Sequence, residues 1–463
     1  MIIAVVGSGG KTTLIKKLAA QYRSAGKTVF VTTTTHMFAE DTTLLTDDAD
    51  VIIHSLQKTG YAMAGIPEGT KINALSEKTF DAVCTHADVV LVEADGSKHL
   101  PLKYPNSREP VIPKNVDEIM VVCGLNAIGQ KAKDVCHRLE LVKECLGIGD
   151  DTIITPEHVQ KLVTDGYLKP LRDAYPQAKV TVSPRHDGTL YQRAIASLLQ
   201  HEQNVSMIRE EWFLPQPKLF ICGGGHVARE VAALAAHLDF SVTVIDDRED
   251  LANRERFPTA ERVICDSYEN LPNYLDPDAC YVVVTPDHKA DLQCVSTILP
   301  TQYRYLGMIG SRKKVAATFQ NLRNAGFTEE QIDTIFAPIG IPIGAVTPAE
   351  IAFSILAQII QEKNKHHAAS VDRSLLEVSE PGVLCVIVEK HGSAPRGVGS
   401  MMFVGEDKVL GTIGGGEPEY LAIRHARTSP CFSIRELVLN NRSTNGLDMI
   451  CGGTISVVFI PVE

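Results

Sequence analysis

An apolar strand that runs into glycines and then straight into an amphipathic helix opens the chain: MIIAVVGSGGKTTLIKKLAAQY. A second such unit, KLFICGGGHVAREVAALAAHL, begins at Lys218. Each strand is apolar on both faces, so each needs helices above and below it. Two units of this kind predict an α/β design with mainly parallel sheets. The length of 463 residues suggests two to four domains, and 44% hydrophobic with 22% charged residues is ordinary for a globular protein.

Three segments separate along the chain. Residues 1–205 alternate apolar strands with amphipathic helices, with strands expected at 2–6, 28–33, 51–54, 89–93 and 118–123, and read as a P-loop-type α/β domain that binds a nucleotide. The stretch EQNVSMIREEWFLPQPK reads as a polar, proline-bearing linker. Residues 217–368 form a second, Rossmann-like α/β domain that ends in the long helix TPAEIAFSILAQIIQEKNK, and KNKHHAASVDRS marks a boundary. Residues 376–463 hold short β runs and one helix at 418–427, a small α+β domain.

Charge and cysteines narrow the setting. A net charge of -11 argues against broad electrostatic binding to nucleic acid. No apolar run is long enough to span a bilayer, and no basic segment precedes MIIAVVG, so a membrane span and a signal peptide are not expected. The 11 cysteines are scattered without a CxxC pair, which suggests reduced thiols and a cytoplasmic location.

In the first segment the pattern strand, glycine turn, Gly-Lys-Thr, helix suits a phosphate cradle built from Gly7, Ser8, Gly9, Gly10, Lys11, Thr12 and Thr13. The loop is compact: the usual glycine six residues before the lysine is Val5 here. Lys11 would reach terminal phosphates and the Thr12 hydroxyl would ligate Mg²⁺ with ATP or GTP. ADVVLVEAD supplies the carboxylates such a site needs, Glu93 and Asp95. Lys11, Thr12, Glu93 and Asp95 are therefore the expected catalytic set, with Thr12 and Glu93 on the metal. A helix cap of small residues would account for the glycines but not for the Lys-Thr-Thr and the acid-ended strand. Thr32 to Thr35 either neighbour the γ-phosphate or are plain β-branched strand residues. In the loop EADGSKHLPLKYPNSREPVIP, Lys98, Lys103 and Arg108 could hold an anion, with Glu109 orienting it.

The second segment offers Gly223, Gly224 and Gly225 with Ala228, a dinucleotide-type turn, and Asp246 and Asp247 at the spacing of a ribose ligand. His226 contacts a phosphate or faces solvent. Ser311, Arg312 and Lys313 follow another strand as an anion-holding or interaction loop. No hydride-transfer residues stand out, so the fingerprint alone does not imply a dehydrogenase. In the third segment, Ser393 and Arg396 lie in the turn GSAPR, Gly415 and Gly416 precede a helix, and Cys451 adjoins two glycines. From the glycines alone, ordinary turn chemistry is the favoured reading.

Two resemblances add to this. Residues 1 to about 200 resemble the selenium-dependent hydroxylase accessory family often called YqeC, through GSGGKTT, TTTTHM, VEADGS, LPLK and EPVIP in order. The compact loop is also similar to the GTNGKTT loop of Mur-type ligases. Residues from about 217 to 463 resemble the XdhC/CoxI family of accessory factors for xanthine dehydrogenase and related molybdenum hydroxylases, through GGGHVA, VIDDRED, TPDHKAD, YLGMIGSRKK, GSAPRGVGSMMFV and CGG. Together they imply a maturation factor for a selenium-dependent molybdenum hydroxylase. It would bind molybdenum cofactor (molybdopterin, as mono- or dinucleotide), support its sulfuration or selenation, and deliver it to the apo-enzyme.

The resemblance implies Gly223, Gly224, Gly225, His226, Asp246, Ser311, Arg312, Ser393, Arg396, Gly415, Gly416 and Cys451 as cofactor-binding residues, and ATPase or GTPase activity in the first segment. The implied partners are the hydroxylase apo-enzyme and a cysteine desulfurase or selenium donor, with neither nucleic acid nor membrane; homo-oligomerisation stays open. The chain departs from the XdhC/CoxI pattern twice. The GSAPR domain follows the Rossmann-like domain instead of preceding it, although the two should still meet. Gly416 stands where many relatives have Cys, which leaves Cys451 as the candidate thiol. Two alternatives are an NAD(P)-dependent Rossmann oxidoreductase with an ATP-binding domain and a Mur-like ATP-dependent ligase.

Overall fold

The computed structural model describes residues 1–96, 99–186, 188–213, 218–238, 240–366, 371, 373–439 and 453–463. The protein is α/β, as the sequence predicts, and three large sheets carry it.

The first sheet runs Lys179–Arg185, Glu118–Gly124, Ile2–Gly7, Val89–Glu93, Val29–Thr33, Tyr61–Glu68, Lys71–Asn73 and His36–Phe38. Its six leading strands are parallel; the last two pair antiparallel at the edge. The strand expected at 51–54 is instead part of a helix, Ala49–Thr59, and the true strand is Tyr61–Glu68. Three β-branched residues in a row imitate a strand, but Asp48 caps the segment by accepting from the Asp50 and Val51 amides. Ile52 and Leu56, four residues apart, are the ones that face the core.

The stretch expected to be a linker supplies part of the core. Val205, Ile208, Trp212 and Phe213 are buried against the first sheet's helices, with the Phe213 ring 5.0 Å from that of Tyr191. Its polar composition hides four apolar anchors.

The second sheet is wholly parallel, in the order Arg262–Cys265, Ser241–Asp246, Lys218–Cys222, Ala279–Val283, Tyr305–Met308, Ile335–Phe336. Numbered along the chain this is 3-2-1-4-5-6, the doubly wound Rossmann order. Two apolar clusters flank it and both are built from residues of this segment alone. The third sheet is antiparallel, Val409–Gly411, Met401–Val404, Gly382–His391, Thr454–Val462, Ser433–Val438, with the helix Gly416–Thr428 on one face.

The other face of the third sheet does not share a core with the Rossmann sheet beside it in sequence. It packs on the first unit: Leu384, Val386, Phe403, Val458 and Ile460 join one continuous apolar cluster with Ala194, Ile195 and Leu198. The helix Leu190–Gln200 brings Arg193 into that junction, where it is buried. Its Nε donates to the Glu463 main-chain oxygen at 2.8 Å, Nη1 to Val378 O at 2.8 Å and Nη2 to Glu380 O at 2.6 Å. One guanidinium thus satisfies three main-chain oxygens of the third unit.

Arg193→Met keeps the aliphatic stem and removes these donors. It is expected to destabilise that junction by about 2–4 kcal/mol. In hydrogen exchange, residues 376–439 should lose protection while the Rossmann sheet keeps its own. Unchanged protection throughout would mean that apolar contact alone holds the two sheets together.

Candidate functional site

The glycine loop between Ile2–Gly7 and the helix Lys11–Ser24 is tightly wrapped. Gly7 and Gly9 have φ of 88° and 83°, and a Cβ would lie 2.1 Å from Val122 O at Gly7 and 2.7 Å from Pro101 O at Gly9. Only glycine fits at either. The Gly7 amide donates to Asp95 Oδ2 at 3.1 Å and the Ser8 amide to Val122 O at 2.9 Å, while the Ser8 hydroxyl donates to Leu100 O. The expected phosphate cradle is therefore shorter than the motif suggests. Gly7 and Ser8 are engaged internally. Gly9, Gly10 and the first helical turn at Lys11, Thr12 and Thr13 line an open cleft. Helix-start amides of this kind have no carbonyl four residues back.

The parallel register sets Glu93 opposite Val5, at the carboxyl end of the neighbouring strand. From there Glu93 Oε2 accepts from Thr12 Oγ1 at 2.9 Å. Burial pushes the Glu93 carboxyl up, and Lys11 and Thr12 restrain it. Burial likewise pulls Lys11 below its usual value; its Nζ turns back on Gly7 O at 2.9 Å. Thr12 Oγ1 and the Glu93 carboxylate are the oxygens that could share a hard divalent cation.

Asp95 does something else. Expected in the catalytic set, it is fully buried and is not among the residues lining the cleft. It accepts from the Gly7 amide and from Tyr167 Oη at 2.9 Å, and it forms an ion pair with Lys103. Tyr167 sits in a π-helical turn, Thr164–Leu168, and burial keeps it a neutral phenol donor. Lys103, expected to hold an incoming anion, is fully buried too and bonds Gly96 O and Glu109 Oε2, the latter at 2.8 Å. Glu109 in turn pairs with Arg138 Nη2 at 2.8 Å. Burial opposes ionisation of Glu109, yet Lys103 and Arg138 outweigh it and help hold the carboxyl at about 2. A chain of polar contacts thus runs from the glycine loop through Asp95, Lys103 and Glu109 to Arg138. Arg108 is exposed, and Lys98 lies outside the described residues.

The cleft has a volume of about 660 Å³, within the usual range for small-ligand pockets. The glycine loop and Glu93 form one wall. Asn126, His137 and Arg138 belong to another. Phe38 forms a third, its ring 5.5 Å from that of His99 with Lys71 Nζ 4.8 Å from its centroid. Arg185 packs over Gly10, with Cγ 3.3 Å from where a Cβ would be. Lys71, Asn126, His137, Arg138 and Arg185 stand in no motif that the sequence offers; elements far apart in the chain bring them together. In TTTTHM, the hydroxyls of Thr32, Thr33 and Thr34 donate to Ala64 O, Glu93 O and Val111 O, so they brace the strand ends, whereas His36 and Met37 line the cleft.

The other two glycine turns are also engaged. Gly223 donates to Ile245 O at 2.8 Å and Gly224 to Asp246 Oδ2 at 2.6 Å. Arg248 grips both Asp246 oxygens at 2.8 and 2.9 Å. The carboxylate offered by the sequence to a ribose hydroxyl is thus buried and taken; Asp247 beside it is exposed. Gly225, with nothing within 4 Å of a Cβ position, and exposed His226 begin a helix and remain accessible. Ser311 caps the helix Arg312–Asn324 through the Lys314 amide, and Arg312 is exposed.

In the third unit Gly414 packs against Pro395 and Arg396, and Gly453 against Ser393 O, so the three glycine turns of that unit converge. Ser393 and Arg396 are exposed. Glu419 accepts from the Ile413 and Gly415 amides, each at 3.0 Å, and from the Thr412 hydroxyl, so the Gly415 amide already faces a carboxylate. Gly416 opens the helix itself, and Cys451 lies outside the described residues.

Fold and site define a protein with two parallel α/β sheets, whose glycine loops sit at strand carboxyl ends, and a third, antiparallel unit. Family models match it in three places: the YqeC protein at residues 3–140, the XdhC Rossmann domain at 219–359, and the XdhC and CoxI family at 375–430. The chain is 30% identical to YqeC of Escherichia coli (strain K12) over 171 residues, which are 35% of this chain and 67% of that protein. The chain belongs to the YqeC family, and joins to it the XdhC-type segments.

It is also 32% identical over 199 residues to YqeB of the same organism, covering 42% of this chain and 36% of YqeB. The chain thus spans little more than a third of that relative's length. A Bacillus subtilis (strain 168) protein that bears the name of a probable xanthine dehydrogenase component is 26% identical over 233 residues, 49% of this chain and 65% of that one. Among solved structures, a xanthine dehydrogenase from Bacillus halodurans is 29% identical over 35% of this chain and 47% of its own, with a TM-score of 0.31. No helix among the described residues is long and apolar enough to cross a membrane.

The Glu109 carboxyl carries a pH signature. Its value drops from 4.5 to about 2 on folding, so its contribution is present above 4.5 and lost as pH falls toward 2. Glu109→Gln is expected to flatten the stability profile in that window, by on the order of 1–3 kcal/mol. Denaturant melts between pH 5 and pH 2 would check this. Equal slopes for both proteins would remove Glu109 from the polar chain.

Proposed function

We propose that the protein is a maturation factor for a molybdenum hydroxylase, in which the first sheet binds Mg²⁺ with ATP or GTP and the XdhC-type half handles the molybdenum cofactor. The observation that carries this reading is the union of a YqeC match with two XdhC-type matches in one chain. Similarity to a protein named for xanthine dehydrogenase supports it. In its finer form the hydroxylase is selenium-dependent, and the sulfur or selenium comes from a cysteine desulfurase or selenium donor. Ten described cysteines carry no disulfide, in keeping with a reducing compartment such as the cytoplasm.

The first site fits a magnesium nucleotide. Gly9, Gly10 and the first turn of the helix at Thr12 and Thr13 would receive the phosphates. Lys11, whose Nζ bonds Gly7 O, would turn to a phosphate oxygen instead, and an anion there would restore the charge that burial disfavours. Thr12 and Glu93 would hold the metal. The exposed ring of Phe38, stacked on His99, gives a base a flat surface. A bound Mg²⁺–nucleotide would supply a terminal phosphoryl group whose hydrolysis or transfer can gate cofactor handling.

The XdhC-type half fits a cofactor phosphate less broadly than its motif suggests. Gly225 and His226 at the helix start, Ser311 and Arg312, and Ser393 and Arg396 are the accessible positions. The engaged Asp246 is not free to accept from a ribose hydroxyl, which removes one of the two carboxylates that an NAD reading would use and leaves the exposed Asp247.

Lys11→Ala is expected to lower Mg²⁺–nucleotide affinity at least tenfold, and Glu93→Gln to abolish its magnesium dependence. In cells that make the molybdenum hydroxylase, Lys11→Ala should leave the enzyme cofactor-poor by metal and pterin analysis. A Lys11→Ala protein that binds nucleotide normally and matures the hydroxylase fully would sink the proposal.

A further inference from the structure

We infer that the cleft takes a second ligand beside the nucleotide, and that Arg138 grips its oxyanion, a carboxylate or a phosphate. This rests on the nucleotide reading of the glycine loop for the neighbouring occupant, and on Arg138 for its own subsite.

Arg138 lines the cleft with one nitrogen of its guanidinium tied and another without a partner. Nη2 is held by Glu109 at 2.8 Å. Nη1 is buried and has no hydrogen-bond partner among the described residues. A buried guanidinium N–H with no acceptor is costly, and such a group in a native structure points to an absent ion, water or ligand. The planar fork of an arginine matches the two oxygens of a carboxylate or phosphate better than any other side chain does.

The backbone supplies a second, independent sign. Arg138 has φ of 58° and His99, which lines the same cleft, has φ of 63°. Among the described residues only three non-glycine positions have positive φ, and two of them line this one cleft. Residues in that region cost energy and persist where the surroundings over-determine them, typically at ligand sites. Here the strained residue is held in place by its ion pair to Glu109.

A separate ligand is favoured over the nucleotide's own phosphates because the loop already offers them Lys11 and the helix-start amides. Arg138 is linked to that loop through Glu109, Lys103 and Asp95. An anion on Arg138 and a triphosphate on the loop would load opposite ends of the same polar chain.

The test uses the full chain saturated with Mg²⁺ and the non-hydrolysable triphosphate AMP-PNP, titrated by calorimetry with inorganic phosphate and, separately, with acetate. Wild type should bind at least one of them; which one it prefers distinguishes phosphate from carboxylate. Arg138→Gln should weaken that binding at least tenfold and leave AMP-PNP affinity within twofold. Arg138→Lys, which keeps the charge beside Glu109 but lacks the second edge, should fall between. Glu109 keeps Lys103 in either variant, and thermal melts verify that each variant is folded.

The inference is overturned if nucleotide-loaded wild type binds neither anion, if Arg138→Gln binds as wild type does, or if AMP-PNP affinity falls in parallel with anion affinity. Failure of the nucleotide reading looks different: Lys11→Ala would bind AMP-PNP like wild type, while the comparison of Arg138→Gln with wild type would still judge the anion subsite.

Discussion

The first site depends on one buried ion pair, Asp95 with Lys103. Both side chains are fully buried. Taking two charges out of water is expensive, and their attraction repays it only when further hydrogen bonds satisfy what is left. The Gly7 amide, Tyr167, Gly96 O and Glu109 are those bonds. An apolar pair of the same volume often matches a buried ion pair in stability, but here it would leave these four groups without partners. It would not fix the glycine loop, the loop after the acidic strand and Arg138 relative to one another. The pair is better understood as a device for position than as a source of stability.

That view extends to the other two glycine turns. At Gly224 the carboxylate is Asp246, and at Gly415 it is Glu419. Each of the three turns presents amides that would attract an anion, and each already holds an acid from its own chain. In the first, the acid sits behind the loop and leaves the front open. In the other two it takes amides that the motif assigns to a ligand, which leaves Gly225 and the exposed Arg312 and Arg396 as the accessible parts.

Local features are readable in the sequence and distant ones are hidden. Strand, glycine turn, helix and acid-ended strand are contiguous patterns, and Thr12 does meet Glu93. The helix Ala49–Thr59 reads as a strand because β-branched residues look like one until the Asp48 cap is weighed. Asp95 reads as catalytic because it follows Glu93 by two; its burial depends on Tyr167 and Lys103, which no spacing rule connects to it. Arg138 gives no sequence signal at all, since its meaning comes from Glu109 and from a cleft assembled by separate stretches of chain. Trp212 and Phe213 sit in a polar stretch that composition alone assigns to a linker.

The shared core of the first and third sheets makes the Rossmann unit a guest within a host. The chain leaves the host after Phe213, builds the guest, and returns to the host with Gly382–His391 and Thr454–Val462. During synthesis the guest can close its own two apolar clusters as soon as it is made. The host cannot. One face of the helix Leu190–Gln200 stays uncovered until Thr454–Val462 arrives, and the Arg193 bond to Glu463, 270 residues away, makes that delay concrete. That face of the helix and the third sheet are therefore completed in one event, and a chain cut short of Thr454 can present neither in finished form.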